Sequence, residues 1–271
     1  MTTTNALDLL ALARDVAAEA GALAATMRAD GISVASTKSS QLDIVTQADT
    51  AVESLIRTRL HEARPDDGFF GEETGQDSGG SSGVVWIVDP IDGTVNYLYG
   101  SPYWAVSIAA TVDHPDGTRT SVAGCVYAPA LNTEYAAAAG HPAHLNGTEL
   151  LIDDTVPLER ALFTTGFTYD LSKREQALSD ISSLATQVRD FRLTGAAALD
   201  ICGVAEGRID AYFFRGLPIW DYAAAALIAA QAGATVRGLN GGAPSSDLFI
   251  VASAPLANAV APLLAPPTTT H

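Results

Sequence analysis

The stretch that most constrains this chain is "WIVDPIDGTVNY", residues 86–97. The apolar run Val84–Val88 predicts a buried strand, and it ends at two aspartates, Asp89 and Asp92. A turn is the simpler interpretation, because Asp, Pro and Gly all favour turns. However, an unpaired carboxylate at the edge of a core is costly, and Pro90 fixes the backbone between the two acids. The pattern therefore indicates two carboxylates held in one geometry.

Acids recur in three similar settings. Glu72 and Glu73 follow an apolar "FFG", Asp221 follows a tryptophan and precedes a helix, and Asp49 lies three residues after Thr46. Each has a plainer interpretation: a solvated acidic pair, an N-cap aspartate and a capping box, respectively. Taken together they indicate a cluster of hard oxygen ligands, which suits Mg²⁺. The five histidines are scattered, so neither a zinc site nor a serine or cysteine nucleophile with a histidine base is indicated.

Charge and composition narrow the class of ligand. The 271 residues include 15 basic and 31 acidic side chains, a net charge of −16, which disfavours binding to nucleic acid or an anionic membrane. An anionic ligand would therefore need a bound cation. Cys125 and Cys202 lie in apolar runs and predict buried thiols in a reducing compartment. The N-terminus resembles an amphipathic helix and not a signal peptide, so we expect a soluble cytoplasmic protein.

The pattern of elements divides the chain at about residue 150. Residues 1–150 predict an α+β half, with helices near 6–27 and 46–63 followed by an antiparallel sheet that includes a hairpin turn at Asn146-Gly147. Residues 151–271 predict an α/β half in which strands and helices alternate. Ser172 and Glu175 have the spacing of a capping box and predict a helix start. We treat the two halves as candidate domains.

Five blocks carry a family resemblance. They are, in chain order, "KSSQLDIVTQAD", "GEE", "WIVDPIDGTVNY", "TGAAALDICGVAEGRIDAYF" and "WDYAAAALIAAQAG". In order and spacing, over nearly the whole chain, they resemble the inositol monophosphatase family of Mg²⁺-dependent, lithium-sensitive phosphatases. The resemblance implies a layered α-β-α-β-α sandwich with an α+β and an α/β half. It also implies a homodimer that hydrolyses a small phosphorylated polyol or sugar, such as inositol 1-phosphate.

The resemblance also implies roles for individual residues. Glu72, Asp89 and the Ile91 carbonyl would hold one Mg²⁺, and Asp89, Asp92 and Asp221 would hold a second, with a third ion near Glu72. Thr94 would hydrogen-bond the attacking water, with Asp49 orienting Thr94. The phosphate and substrate would contact Asp92, Gly93, Thr94, Gly195, Ala196, Ala197 and Asp221. Lys38 matches a family lysine near the metals, although a surface lysine is an equally simple interpretation.

One position departs from the family pattern. Inositol-specific members usually carry a glutamate seven positions before the metal aspartate, where this chain has Phe214. Phe214 is either a core or interface aromatic, together with Phe213 and Leu217, or part of a pocket altered toward another alcohol. Histidinol phosphate and sugar bisphosphates therefore stay open as substrates, with nucleotide phosphates ranked last. A non-catalytic regulatory protein is the alternative from another class.

Overall fold

Two β-sheets, drawn from successive parts of the chain, organise the fold. The computed structural model describes residues 5–31, 34–37, 44–77 and 80–264. The strands are Val34–Thr37 (β1), Ile44–Thr46 (β2), Gly68–Gly71 (β3), Gly75–Gln76 (β4), Val84–Asp92 (β5), Ala105–Asp113 (β6), Arg119–Ala128 (β7), Thr133–Ala138 (β8), His144–Leu145 (β9), Thr148–Glu149 (β10), Leu162–Thr164 (β11), Asp190–Arg192 (β12), Ala211–Phe214 (β13), Thr235–Arg237 (β14) and Phe249–Ala252 (β15). The α-helices are Ala6–Asp30 (α1), Gln47–Ala63 (α2), Thr94–Leu98 (α3), Arg174–Ala185 (α4), Ala197–Glu206 (α5), Ile219–Gln231 (α6) and Ala254–Val260 (α7).

The strand order differs between the sheets. The large sheet has the order β10-β9-β8-β7-β6-β5-β3-β4, and only the β3–β5 pairing in it is parallel. The small sheet has the order β12-β11-β13-β15-β14, with β11 parallel to both of its neighbours. Strands β1 and β2 form a separate antiparallel pair. The predicted antiparallel sheet is thus confirmed, except that β3, which was not predicted, joins it in parallel.

Alternation along the strands builds the layers. On β5, Trp86 and Val88 pack with the buried face of α1 and α2, whereas Val85 and Ile87 belong to the cluster that contains α5 and α6. The small sheet covers the other side of α5 and α6, and its far face packs against α4 and α7 through Phe163. The resulting order is helix, sheet, helix, sheet, helix, and the predicted sandwich is confirmed.

The start of helix α4 differs from the start predicted from the sequence. The predicted helix near Ser172 exists, but Asp170 accepts the capping hydrogen bond from the Ser172 amide, and a 3-10 turn precedes α4. The capping box predicted from Ser172 and Glu175 is therefore wrong, because an aspartate two residues earlier competes for the same amide.

Two further predictions from the sequence are confirmed by the structure. The hairpin turn at Asn146-Gly147 is confirmed, with positive φ at both residues, and both cysteines are free and buried. No helix in the described part of the chain combines the length and hydropathy that crossing a bilayer requires. Lys38 lies outside the described residues. The division into domains at residue 150 stays a prediction.

Candidate active site

A bulge at the end of β5 brings two carboxylates to one cavity. Residues three apart on a regular strand point to opposite faces of the sheet. Here Asp89 pairs with Ser107, whereas Asp92 pairs with Ala105, so β5 carries one extra residue between the two pairs. Pro90 lies in this bulge, where a missing backbone N–H is tolerated. Both aspartates are buried, and both line the same cavity.

Strand β3 places Glu72 beside these aspartates. Because β3 runs parallel to β5, the two strands end at the same sheet edge, and the Glu72 amide donates to the Val88 carbonyl at 3.1 Å. The buried Glu53 on α2 shapes the turn that follows. Its carboxylate accepts hydrogen bonds from the backbone amides of Glu73 at 2.8 Å and Thr74 at 3.0 Å. Glu53 therefore fixes the backbone next to Glu72.

The start of α2 supports Thr94. Thr46 and Asp49 form the predicted capping box, in which Asp49 Oδ2 accepts from the Thr46 amide at 2.8 Å. The other oxygen, Oδ1, lies 3.2 Å from the Thr94 hydroxyl, which is also 3.1 Å from the Ile91 carbonyl oxygen. Asp49 does not line the cavity, but its contact with Thr94 connects it to a residue that does. One buried carboxylate thus serves both the helix start and the cavity.

Helix α6 carries Asp221 to the cavity. The helix begins at Ile219 with Pro218 as its N-cap, so Asp221 lies in the first turn and its interpretation as the N-cap is wrong. The alanine-rich helix packs closely on the large sheet, since a Cβ at Gly124 would come within 2.9 Å of the Ala224 carbonyl oxygen. This close packing fixes the height of Asp221 above the sheet.

The start of α5 interacts directly with Asp92. Asp92 Oδ1 accepts from the Ala197 amide at 3.0 Å, and Oδ2 accepts from the Ala198 amide at 2.9 Å. Burial raises the pKa of Asp92 to about 8, although the hydrogen bonds from these amides act in the opposite direction. Asp92, which the resemblance predicts to be a metal ligand, therefore accepts a hydrogen bond from Ala197, which it predicts to contact the substrate.

All the predicted site residues except Asp49 line one cavity of about 480 Å³. They are Glu72, Asp89, Ile91, Asp92, Gly93, Thr94, Gly195, Ala196, Ala197 and Asp221. No Lys, Arg or His of the described chain is among the residues lining this cavity.

The electrostatics of this group fit a divalent cation. Burial, together with the charges of Glu72, Asp92 and Asp221, raises the pKa of Asp89 well above its ordinary value. Carboxylates and a peptide carbonyl are the donors that Mg²⁺ prefers. Over residues 5–31, 34–37, 44–77 and 80–264, no three His, Cys, Asp or Glu side chains lie close enough together to hold a metal ion as they stand. The donor chemistry thus fits an ion, while Asp92 is turned toward the α5 amides.

The sequence of the chain matches a known protein family over nearly its whole length. The model of the inositol monophosphatase family matches residues 6–268. The chain belongs to the inositol monophosphatase family. Its members are phosphoric monoester hydrolases that depend on a divalent metal, so the enzyme class predicted from the five sequence blocks is confirmed.

Relatives and solved structures agree with this assignment. The chain is 42% identical over 267 residues to "Inositol-1-monophosphatase" of Mycobacterium bovis, covering 91% of this chain and 89% of the relative. It is 40% identical over 210 residues to "Nus factor SuhB" of Haemophilus influenzae, covering 77% of each. The solved structure "Mycobacterium tuberculosis SuhB" superposes with a TM-score of 0.80 at 40% identity, covering 96% of this chain and 97% of that one.

Some lining residues were missed by sequence reasoning. Strand β11 ends at Thr164, and the following residues 165–170 line the cavity. Asp200 on α5 also lines it, buried and bonded to Tyr103 at 3.0 Å. An aspartate within the otherwise apolar α5 is a signal that could have identified Asp200. Nothing local marks residues 165–170, because their position depends on the packing of the small sheet.

Proposed function

We propose that this protein is a Mg²⁺-dependent phosphomonoesterase that hydrolyses the phosphate ester of a small alcohol by attack of water. One observation carries the proposal. Several acidic side chains line one cavity together with the Ile91 carbonyl, and they include Glu72, Asp89, Asp92 and Asp221. A phosphate ester is an anion, so it needs bound cations to enter such a cavity. This combination is characteristic of metal-assisted phosphoryl transfer.

The donors divide between two ions in our proposal. Glu72, Asp89 and the Ile91 carbonyl would hold one Mg²⁺, and Asp89, Asp92 and Asp221 would hold the second, with Asp89 shared. A third ion near Glu72 completes the proposed set. Support comes from the β5 bulge, which brings Asp89 and Asp92 to the same cavity, and from the parallel β3–β5 pairing beside Glu72. When bound, the ions would neutralise phosphate charge and lower the pKa of bound water.

Thr94 and Asp49 would position the nucleophile. The Thr94 hydroxyl proton can be directed to Asp49 Oδ1, which leaves the Thr94 oxygen as an acceptor for a water proton. A water held this way has one lone pair directed away from Thr94, toward phosphorus. No covalent phosphoenzyme is needed, because water itself is the nucleophile.

The backbone at Gly93 and Thr94 would receive the phosphate. Gly93 has φ +87°, and a Cβ there would lie 3.1 Å from both the Ala196 Cβ and the Tyr103 carbonyl oxygen. Only glycine therefore fits this close approach of two chain segments. The approach keeps Gly195 and Ala196 beside the phosphate position, which supports their proposed substrate contacts.

Several substrates share this chemistry. The relatives named inositol-1-monophosphatase make myo-inositol 1-phosphate the first substrate to test, as a representative of polyol and sugar phosphates. Phe214 lines the cavity at the position where the family glutamate was expected, which keeps histidinol phosphate and sugar bisphosphates as alternatives. Assembly as a homodimer remains part of the proposal.

The test is phosphate release from a panel of esters. We expect release from at least one of myo-inositol 1-phosphate, histidinol phosphate and fructose 1,6-bisphosphate with Mg²⁺, and none with EDTA. Asp221→Asn should fold normally by circular dichroism and lose activity by at least about 100-fold. Asp15→Asn serves as the matched control, because Asp15 is exposed on α1 and its replacement removes the same charge at a position far from Asp221 in the sequence. Undiminished turnover in Asp221→Asn would exclude the metal assignment.

A regulatory role is the second candidate. It is favoured by relatives that are named Nus factor SuhB. The retained acids Glu72, Asp89, Asp92 and Asp221 argue against loss of catalysis. Absence of phosphate release from the whole panel, with folded protein and Mg²⁺ present, would favour the regulatory role over the enzymatic one.

A further inference from the structure

An aromatic wall forms part of the cavity lining. We define it as Phe167, Tyr169, Phe214 and Trp220, with Leu217 beside them, all of which line the cavity that holds the acids. These residues come from the loop after β11, the end of β13 and the start of α6. The cavity therefore combines an acidic group of donors with a large apolar surface.

Two of these rings are held by neighbouring side chains. Phe214 stacks on Tyr212 with ring centroids 6.4 Å apart and an interplanar angle of 7°. A Cβ at Gly166 would come within 3.1 Å of the Phe214 ring, so the glycine lets the loop lie against it. Trp220 meets Phe70 edge to face at 5.5 Å. The wall is thus a preformed surface, which favours binding of a rigid apolar group.

The neighbour of Phe214 holds the end of β13 in place. The Arg215 guanidinium donates to the buried Asp180 carboxylate at 2.6 Å and to the Asp247 carbonyl at 2.7 Å. Adjacent residues on β13 point to opposite faces of the sheet, so Phe214 faces the cavity while Phe213 packs on the side of α4 and α7, and the anchored Arg215 holds this end of the strand in place. Phe214 is therefore a pocket residue, whereas the adjacent Phe213 is buried in the core of the small sheet.

Three polar side chains near the wall already have hydrogen-bond partners within the protein. The Thr165 hydroxyl donates to the Phe213 carbonyl at 2.7 Å. Asp200 accepts from the hydroxyls of Tyr103 and Thr164, and Asp170 accepts from Ser172. Hydroxyl groups of a polyol placed against the aromatic rings would lose water without gaining equivalent partners. An aromatic ring would instead gain contacts with the side chains of the wall.

We infer that the preferred substrate is a phosphate monoester whose alcohol carries an aromatic ring, with that ring seated on the aromatic wall. The inference rests on the proposed phosphatase function and narrows its substrate class. A cavity of about 480 Å³ accommodates a molecule of this size together with its phosphate. In this arrangement Phe214 determines specificity and takes no part in the chemical step.

The experiment compares two esters by kcat/KM in the presence of Mg²⁺. The probes are 2-phenylethyl phosphate and myo-inositol 1-phosphate. We expect the wild type to favour 2-phenylethyl phosphate by about tenfold or more, and Phe214→Glu to lower or reverse that ratio by a similar factor. Leu178→Glu on α4 is the matched control, because it adds the same charge at an exposed position outside the cavity lining. It should leave the ratio unchanged.

A second variant covers the case in which Phe214→Glu does not fold. Phe214→Leu keeps the site apolar but removes the ring, so it should reduce kcat/KM for 2-phenylethyl phosphate by a larger factor than kcat/KM for myo-inositol 1-phosphate. An equal or higher kcat/KM of the wild type for myo-inositol 1-phosphate would overturn the inference and leave the phosphatase proposal standing. Absence of phosphate release from both probes and from the wider panel would instead overturn the phosphatase proposal, and the inference with it.

Discussion

The Thr94 hydroxyl lies 3.2 Å from Oδ1 of Asp49, whose other oxygen caps helix α2 through the Thr46 amide at 2.8 Å. Asp49 is almost fully buried, so its position is set by the helix start and not by solvent. The helix cap and the proposed water-binding hydroxyl are consequently one rigid unit. Under the proposed mechanism, the stability of the helix start and the positioning of the attacking water would therefore depend on the same carboxylate.

This relationship makes a prediction about Thr94. Thr94→Val keeps the shape but removes the hydroxyl, and it should lower kcat by about 100-fold or more with little change in KM, because positioning of the nucleophile is lost. Thr94→Ser keeps the hydroxyl and should retain most of the activity. Steady-state kinetics on the best substrate of the panel provide the check. Similar kcat values for the Val and Ser variants would remove Thr94 from the mechanism.

A second prediction concerns Glu53. Its carboxylate accepts hydrogen bonds from the amides of Glu73 and Thr74, and Glu53→Gln places an amide group against these donors. We expect a loss of about 1–3 kcal/mol in the free energy of unfolding, the usual cost of an unsatisfied buried group. Because the affected turn holds Glu72, the affinity for Mg²⁺ measured by calorimetry should also fall.

The control for Glu53 lies on the same helix. Glu62 is exposed and pairs with Arg59 on the surface, so Glu62→Gln should change neither unfolding nor Mg²⁺ affinity appreciably. Gly71→Ala should resemble the Glu53 variant, since the added methyl group would overlap the Glu53 carboxylate. Unchanged Mg²⁺ affinity in both Glu53→Gln and Gly71→Ala would show that this turn does not position Glu72.

Removal of metal should lower thermal stability. An ion that binds only the folded state at 100 times its dissociation constant stabilises by about 2.7 kcal/mol, which corresponds to a rise of about 5 °C in Tm for a chain of this size. Differential scanning calorimetry with Mg²⁺ and with EDTA measures the shift, and an equal ionic strength of NaCl is the control. Asp89→Asn should abolish most of the shift, because Asp89 is shared by both proposed ions. A full shift in this variant would contradict the ligand set.

Breaking the ion pair between Arg215 and Asp180 should strongly reduce the free energy of unfolding. Asp180 is buried and Arg215 largely so, and the guanidinium also donates to the carbonyls of Asp247 and Leu264. Arg215→Met should cost about 3–5 kcal/mol, because it leaves the Asp180 carboxylate buried without its partner. Urea unfolding measures this. The double variant with Asp180→Leu should recover part of the loss, and a double variant no more stable than Arg215→Met would argue against pairing as the cause.

Local patterns in the sequence were enough to predict many features. The apolar run of β5, the capping box of Thr46 and Asp49 and the Asn146-Gly147 turn depend on neighbours within a few residues, and the structure has all three. The order of the acidic blocks was also sufficient to predict the family. These features are local because hydrogen bonds at helix starts and turns, and the periodicity of strands, involve only nearby residues.

Tertiary structure decided how those residues meet. The bulge that puts Asp89 and Asp92 on one cavity depends on the register with β6, and the bond from Ala197 to Asp92 joins residues 105 apart. The sequence left Phe214 open between core and pocket, and the packing of the small sheet, with Phe213 in its core, places Phe214 in the cavity lining. The sequence by itself therefore determined the chemistry available to this protein. Packing between distant elements, which no local pattern encodes, decided which groups share a site and what shape of alcohol fits beside them.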